Sequence, residues 1–281
     1  MCDHPGAMVS SSRFPSVPHV LSVILCLVFS LICGSNLALG DESERWNAPF
    51  GGAFNATFTV TSDYSFAGIS QTKLGPAVQM GIDYRTREIS ADLPVWFYAT
   101  GWGSNIDFPT TGPGIEVDLA AGMKARVLEK KLSIDVGYIR YLFLGPRADL
   151  NYNYGDINLN VGYDFGFATL AGRLRFSPNS FGNSKHSLNK RVLLTVPLPF
   201  LHINESISFR TYASAGNINV DRFLAYGIPS SDYWYWQAGL VTSVYGFDVS
   251  VAYTDTSIER SGCGNTNYCS GRVFVSVTKV F

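Results

Sequence analysis

The chain has 281 residues and a formal net charge of −1, so no strong field of one sign points to a nucleic-acid partner. Charged residues make up only 15%, too few to clothe a soluble domain of this size, while aromatics reach 14% and Gly 27 copies, with only 4 Met. That balance favours an all-β membrane protein over a helical one.

The first element in the chain is an apolar run, VLSVILCLVFSLI, over residues 20–32. It has the length of a signal-peptide core, and Ala38-Leu39-Gly40 before Asp41 offers a small-x-small cleavage site. We read residues 1–40 as a signal peptide that is removed, and 41–281 as one β domain. Arg13 is the only firm positive charge ahead of the run, and Met8 is an alternative start. The competing reading is a retained membrane helix, because residues 20–39 carry no charge, although Gly34-Ser35-Asn36 interrupts them. Of the 5 Cys, only Cys263 and Cys269 lie beyond the leader, close together in a polar stretch. Export to an oxidising compartment makes them a disulfide pair.

From Asp41 onward period two replaces any helical period. In one segment Ile115, Val117, Leu119, Ala121, Met123, Ala125 and Val127 alternate with Glu116, Asp118, Ala120, Gly122, Lys124 and Arg126. Taken in order, the predicted strands are 54–66, 77–85, 95–106, 115–127, 131–141, 152–165, 167–177, 188–196, 206–214, 233–244, 247–256 and 271–281. Their lengths suit a tilted bilayer crossing. Short turns at Leu128-Glu129, Gly166 and Tyr245-Gly246 alternate with longer polar loops at 178–187, 215–232 and 257–270. That asymmetry marks the periplasmic and extracellular ends of an outer-membrane barrel. The expected fold is therefore a transmembrane antiparallel β-barrel of about twelve strands in the bacterial outer membrane. Tyr64, Phe66, Tyr141, Tyr152, Tyr154, Tyr233 and Trp234 near strand ends are expected to form interfacial girdles. The chain closes on Val273, Val275, Val277 and Phe281, one face of a last strand, like the signal read by the barrel-assembly machinery, with Lys279 snorkelling.

The block Thr61-Ser62-Asp63-Tyr64-Ser65-Phe66-Ala67-Gly68-Ile69-Ser70-Gln71-Thr72 resembles the opening of a known family of outer-membrane porins. That family is named after a barrel associated with trimethylamine-oxide respiration. Pro76-Ala77-Val78-Gln79, the Gly103 to Phe108 block, Glu116-Val117-Asp118, Phe176-Ser177-Pro178-Asn179, the Val251 to Thr256 block and the closing Val275 to Phe281 extend the resemblance. It implies a barrel with a porin role and supplies no site residues.

Candidate chemistry is confined to the polar face. Glu116, Asp118, Lys124, Arg126, Arg173, Arg175 and Arg210 are expected to line a pore. The first two are read as lying near the outer mouth below a long loop, facing the arginines across the lumen. The same groups alternatively pair and brace the wall. His186 and His202 fall in predicted connections without metal-ligand spacing, so no metal or cofactor is expected. Ser184 or Ser187 beside His186 keeps an outer-membrane hydrolase open as a minor alternative. A non-conducting structural or surface-binding barrel is the third, since twelve strands fall between filled and open barrels. The expected partners are outer-membrane lipids and small polar solutes, with an oligomer possible.

Overall fold

The structure is a computed structural model that describes residues 48–90, 94–109, 111–146, 148–201, 203–204 and 206–281. The leader read over residues 1–40 and His202 lie outside the described residues. Among those described, twelve strands close an antiparallel barrel. They are β1 (Ala53–Thr61), β4 (Ala77–Arg85), β5 (Val95–Phe108), β6 (Gly112–Val127), β7 (Leu132–Leu144), β8 (Tyr154–Asp164), β9 (Thr169–Ser177), β10 (Ser187–Pro197), β11 (Ile207–Val220), β12 (Asp232–Val244), β13 (Phe247–Thr256) and β14 (Arg272–Val280). Each pairs with its neighbours in sequence, and β14 returns to β1 through Thr59↔Thr278 and Thr61↔Ser276. Closure leaves no open edge, which a hydrocarbon environment would not tolerate.

The register carries one consistent face inward. Asp118 pairs with Tyr141, Tyr141 with Tyr154, Asn158 with Arg175, and Arg173 with Arg191. The other face holds Met80, Ile82, Leu119, Val136, Leu159, Leu194, Leu240 and Val251, all exposed. A polar interior inside an exposed apolar wall inverts the soluble pattern and fits a barrel set in lipid. The protein is a bacterial outer-membrane β-barrel.

One end carries connections 86–94, 128–131, 165–168, 198–206 and 245–246, together with the start of β1 and the end of β14. Tyr245 and Gly246 both have positive φ, 48° and 77°, as a two-residue hairpin turn demands. The opposite end carries 62–76, 109–111, 145–153, 178–186, 221–231 and 257–271. By the length rule this is the outer end. Two expectations change here. The connection before β6 is the short 109–111, because β5 and β6 stay paired out to Phe108↔Gly112. The first predicted strand stops at Thr61 rather than residue 66, and the chain then turns into the lumen.

That inward turn contains a small antiparallel pair, β2 (Ser65–Phe66) and β3 (Ile69–Ser70). The buried apolar core lies around it rather than between sheets. Ile218, Val220, Ile228, Tyr233, Tyr235, Ile258 and Cys269 cluster at the outer mouth, with Phe66, Ala67 and Ile69 packed against them. A four-residue helix, α1 (Phe223–Tyr226), ends at Gly227 and contributes Phe223 and Tyr226 to the same cluster. Cys263 and Cys269 are joined by a disulfide that holds the neighbouring loop against it.

The expected girdle is corrected as well. Tyr141, Tyr154 and Tyr233 point inward and are buried, Tyr64 and Phe66 belong to the inward turn, and only Trp234 faces outward. Strand-end position does not choose the face; parity does. Outward aromatics stand at both ends instead: Phe54 meets Tyr84 and Tyr163 meets Phe165 at the periplasmic end, and Phe176, Trp234, Trp236 and Tyr253 are exposed toward the outer end.

Candidate lumen site

The segment at residues 62–76 is anchored from three sides. Asp63 accepts hydrogen bonds from Ser70 Oγ (2.5 Å) and Thr72 Oγ1 (3.1 Å), which close its own turn. It also accepts from Arg272 Nε of β14 at 2.6 Å, in an ion pair whose side chains are 5% and 12% exposed. Arg272 donates further to the carbonyl oxygen of Gly68 at 2.8 Å, tying the tip of the turn to the wall. Gly68 has φ +83°, and a Cβ there would lie 2.4 Å from Thr256 Cγ2. Only glycine allows both that backbone and that approach. On the far side Tyr64 packs edge-on to Trp102 of β5 at 5.5 Å. Burial, reinforced by the negative charges of Glu116 and Asp118, holds the Tyr64 phenol well above its ordinary value. The turn thus reaches from β14 to the wall at β5 and β6.

It divides the lumen. Toward the outer mouth lies a cavity of about 530 Å³ bounded by Phe108, Phe143, Tyr152, Phe181, Tyr226 and Glu116. Tyr152 and Phe181 stack there at 4.0 Å. Below the turn lies a second cavity of about 470 Å³, bounded by Tyr64, Trp102, Asp118, Tyr141, Arg173, Arg175, Arg191 and Tyr235 and reaching down to Thr59, Gln79 and Thr278.

The seven residues expected to line a pore all face inward but do different work. Glu116 is buried at the level of the turn and opens on the upper cavity, whereas Asp118, one pleat lower, opens on the lower one. Arg173 and Arg175 share the lower cavity. The acidic and basic groups are not across the lumen from each other, as the sequence suggested. β6 and β9 are separated by β7 and β8 alone, a quarter of the twelve-strand ring, and Asp118 and Asp156 lie within electrostatic reach of Arg175. Neither Arg173 nor Arg175 forms an ion pair within 4.0 Å among the described residues. Lys124 pairs with Asp135 at 3.5 Å and lies 4.9 Å from the centre of the Tyr98 ring. Arg126 covers Trp96 at 5.6 Å, beside Arg85 and Arg87 at the periplasmic mouth. Arg210 sits near the periplasmic end and is bound to Asp248 (2.6 Å) and Ser243 (2.9 Å), so it braces the wall and is apart from Arg173 and Arg175.

Sequence reasoning missed Arg191, Tyr64 and Trp102 as cavity residues. Arg191 was legible, since Asn189 and Arg191 fall on the polar parity of their strand. Tyr64 was not, because it was assigned to the wall. His186 lies outside the lumen at the outer surface. Its Nδ1 is 2.8 Å from Asp221 Oδ2, and among the described residues no serine hydroxyl bonds to it. Ser184 is buried with its hydroxyl unpartnered, and Ser187 begins β10 opposite Ser177.

A family model covers residues 47–281, which include all twelve strands of the barrel. The chain belongs to the family described as "Bacterial protein of unknown function (Gcw_chp)". This model does not carry the trimethylamine-oxide-associated name that the motif blocks suggested. No curated protein matches the chain. Among solved structures, the barrel is similar to LpxR from Salmonella typhimurium, with a TM-score of 0.48 at 7% identity over 81% of this chain and 99% of that one. It is similar to the NanC porin, at 0.45 and 10% identity over 81% and 98%. It is also similar to the outer membrane channel DcaP of Acinetobacter baumannii, at 0.40 and 8% identity over 82% and 97%. At this level these are likenesses of barrel to barrel and nothing more.

Proposed function

We propose that this member of the Gcw_chp family is a passive outer-membrane channel for small polar solutes or ions, and that it is not an enzyme. The observation that supports this most is the lower cavity of about 470 Å³, walled by charged and hydroxyl side chains inside a closed barrel. A barrel needed only as a scaffold fills its interior with paired groups, whereas this one keeps an open polar cavity within its lumen. The resemblance of the Thr61 to Thr72 block to the trimethylamine-oxide-associated porins points the same way. The outward Val273, Val275 and Val277 of β14 support recognition of that strand by the barrel-assembly machinery.

A second reading, a non-conducting surface-binding barrel, is favoured by the inward turn at residues 62–76, which occupies the lumen between the two cavities. Conductance of the refolded full-length barrel in a planar bilayer separates the two. Discrete channel currents in KCl are expected; a bilayer holding folded, heat-modifiable protein that never conducts overturns the channel reading. Esterase activity lost on His186→Ala would overturn the non-enzymatic reading.

A further inference from the structure

The lower cavity is lined by three arginines, Arg173, Arg175 and Arg191, none of which forms an ion pair among the described residues. Arg173 and Arg191 are direct cross-strand partners on the inward face, and Arg175 sits one pleat above Arg173, between Asn158 and Asn189. Like charges placed directly opposite each other in a ladder repel, and folds avoid the arrangement unless something lies between them. Four carboxylates are close at hand, yet none is paired with these arginines. Asp63 is held by Arg272, Glu116 opens on the upper cavity, and among the described residues neither Glu116, Asp118 nor Asp156 approaches an arginine within ion-pair distance. Among the described residues the guanidinium groups donate only to neutral partners, Arg175 Nη1 to Tyr141 Oη (2.8 Å) and Arg191 Nη2 to Ser214 Oγ (3.1 Å). The Nε donors of all three arginines are buried and without a hydrogen-bond partner. Buried donors of this kind are normally satisfied, and here all three belong to residues lining the same cavity. The Asp118 Oδ1 acceptor is likewise unpartnered, and Asp118 lines the same space.

The geometry points to a solute-binding site in which Arg173, Arg175 and Arg191 hold the oxyanion of a small hydroxylated organic anion while Asp118 accepts from one of its hydroxyl groups. The planar fork of arginine matches carboxylate or phosphate oxygens in pairs, and three forks on two adjacent strands form a patch no single chloride ion would satisfy. Trp102, Tyr141 and Tyr235 supply flat walls for the body of the solute. The volume lies within the range of small-molecule sites. This inference specifies the solute class of the channel proposed above and rests on that reading for transport, though not for binding.

Two measurements on the full-length refolded barrel test it. The first is isothermal titration in detergent with sodium gluconate, sodium acetate and sodium phosphate; gluconate and acetate separate hydroxylated from plain carboxylates, and phosphate tests the bare oxyanion. The second is the reversal potential across a KCl gradient in a planar bilayer. Gluconate is expected to bind more tightly than acetate and phosphate, and the channel to prefer chloride over potassium. Arg191→Gln is expected to weaken gluconate about tenfold, as loss of a charge-assisted hydrogen bond does, and to reduce the anion preference. Arg173→Gln is a second variant should the first fail to fold. Arg140→Gln, which faces outward between Leu119 and Gly155, is expected to change neither. Gluconate heat unaltered in both lumen variants, or cation preference in the unaltered protein, overturns the site. Equal affinity for acetate and gluconate overturns the role of Asp118. Gluconate binding without any conductance upholds the site and instead overturns the channel.

Discussion

The inward turn depends on one buried ion pair, and Arg272→Ala is the sharpest test of it. Arg272 and Asp63 meet at 2.6 Å with almost no solvent access, and the same guanidinium holds the Gly68 carbonyl. Truncating one member of a buried pair typically costs about 3–5 kcal/mol, because the remaining charge is stranded. Asp63 keeps its bonds from Ser70 and Thr72, so the lower figure applies. The twelve-strand ladder does not use either side chain, and the penalty falls on docking of the turn rather than on the barrel. About 3 kcal/mol shifts the docked-to-released ratio roughly 100-fold. Amide hydrogen exchange reads this directly. The Gln71 amide donates to Tyr64 and the Ser70 amide to Tyr268, and both are expected to exchange roughly 100-fold faster while strand amides are unchanged. Trypsin should also gain access to Lys73, which in the docked turn is tied to Asp107 at 2.7 Å. Unchanged exchange at these two amides in a folded Arg272→Ala barrel would refute the claim that the pair holds the turn in the lumen.

The remaining expectations concern the same architecture. Gly68→Val places branched carbon against Thr256 at a positive φ and should release the turn as Arg272→Ala does; a variant with native exchange at Gln71 argues against it. Tyr64 titrates above its ordinary value of 10.0 when docked, so the docked state binds the extra proton and docking is complete below that pH and weakens as pH rises beyond it. Protease sensitivity at Lys73 is therefore expected to climb above about pH 10, and Tyr64→Phe to flatten that climb; identical profiles would count against it. Arg210→Ala removes a pair whose side chains are 39% and 38% exposed, and should lower the heat-unfolding stability by less than about 1 kcal/mol without altering ion preference. A reversal-potential shift as large as that of Arg191→Gln would return Arg210 to the selectivity wall. Cys263→Ser with Cys269→Ser should leave the barrel's heat-modifiable migration intact and speed trypsin cleavage after the already exposed Arg260 by loosening the loop that carries it; a barrel that no longer assembles would give the bridge a larger role than the loop cluster implies.

The barrel was legible in the chain because a two-residue period is local. Val117 and Asp118 announce an apolar and a polar face without reference to any other strand, and a slip of one residue would turn every charge into lipid. From that parity follow the number of strands, the inward placement of Glu116, Asp118, Arg173 and Arg175, and the membrane itself. Parity cannot say what stands beside an inward side chain. Arg210 finds its carboxylate 38 residues away in Asp248, while among the described residues Arg173 and Arg175 find none within ion-pair reach, and only the ring order of the strands decides between them. The turn at residues 62–76 is the clearest case. Its alternation continues that of β1, so it reads as wall, but its partner Arg272 is 209 residues further along and adjacent only after β14 closes on β1. A contact that exists only once the ring is shut has no local pattern to betray it, and it is that contact which gives the lumen two chambers instead of one.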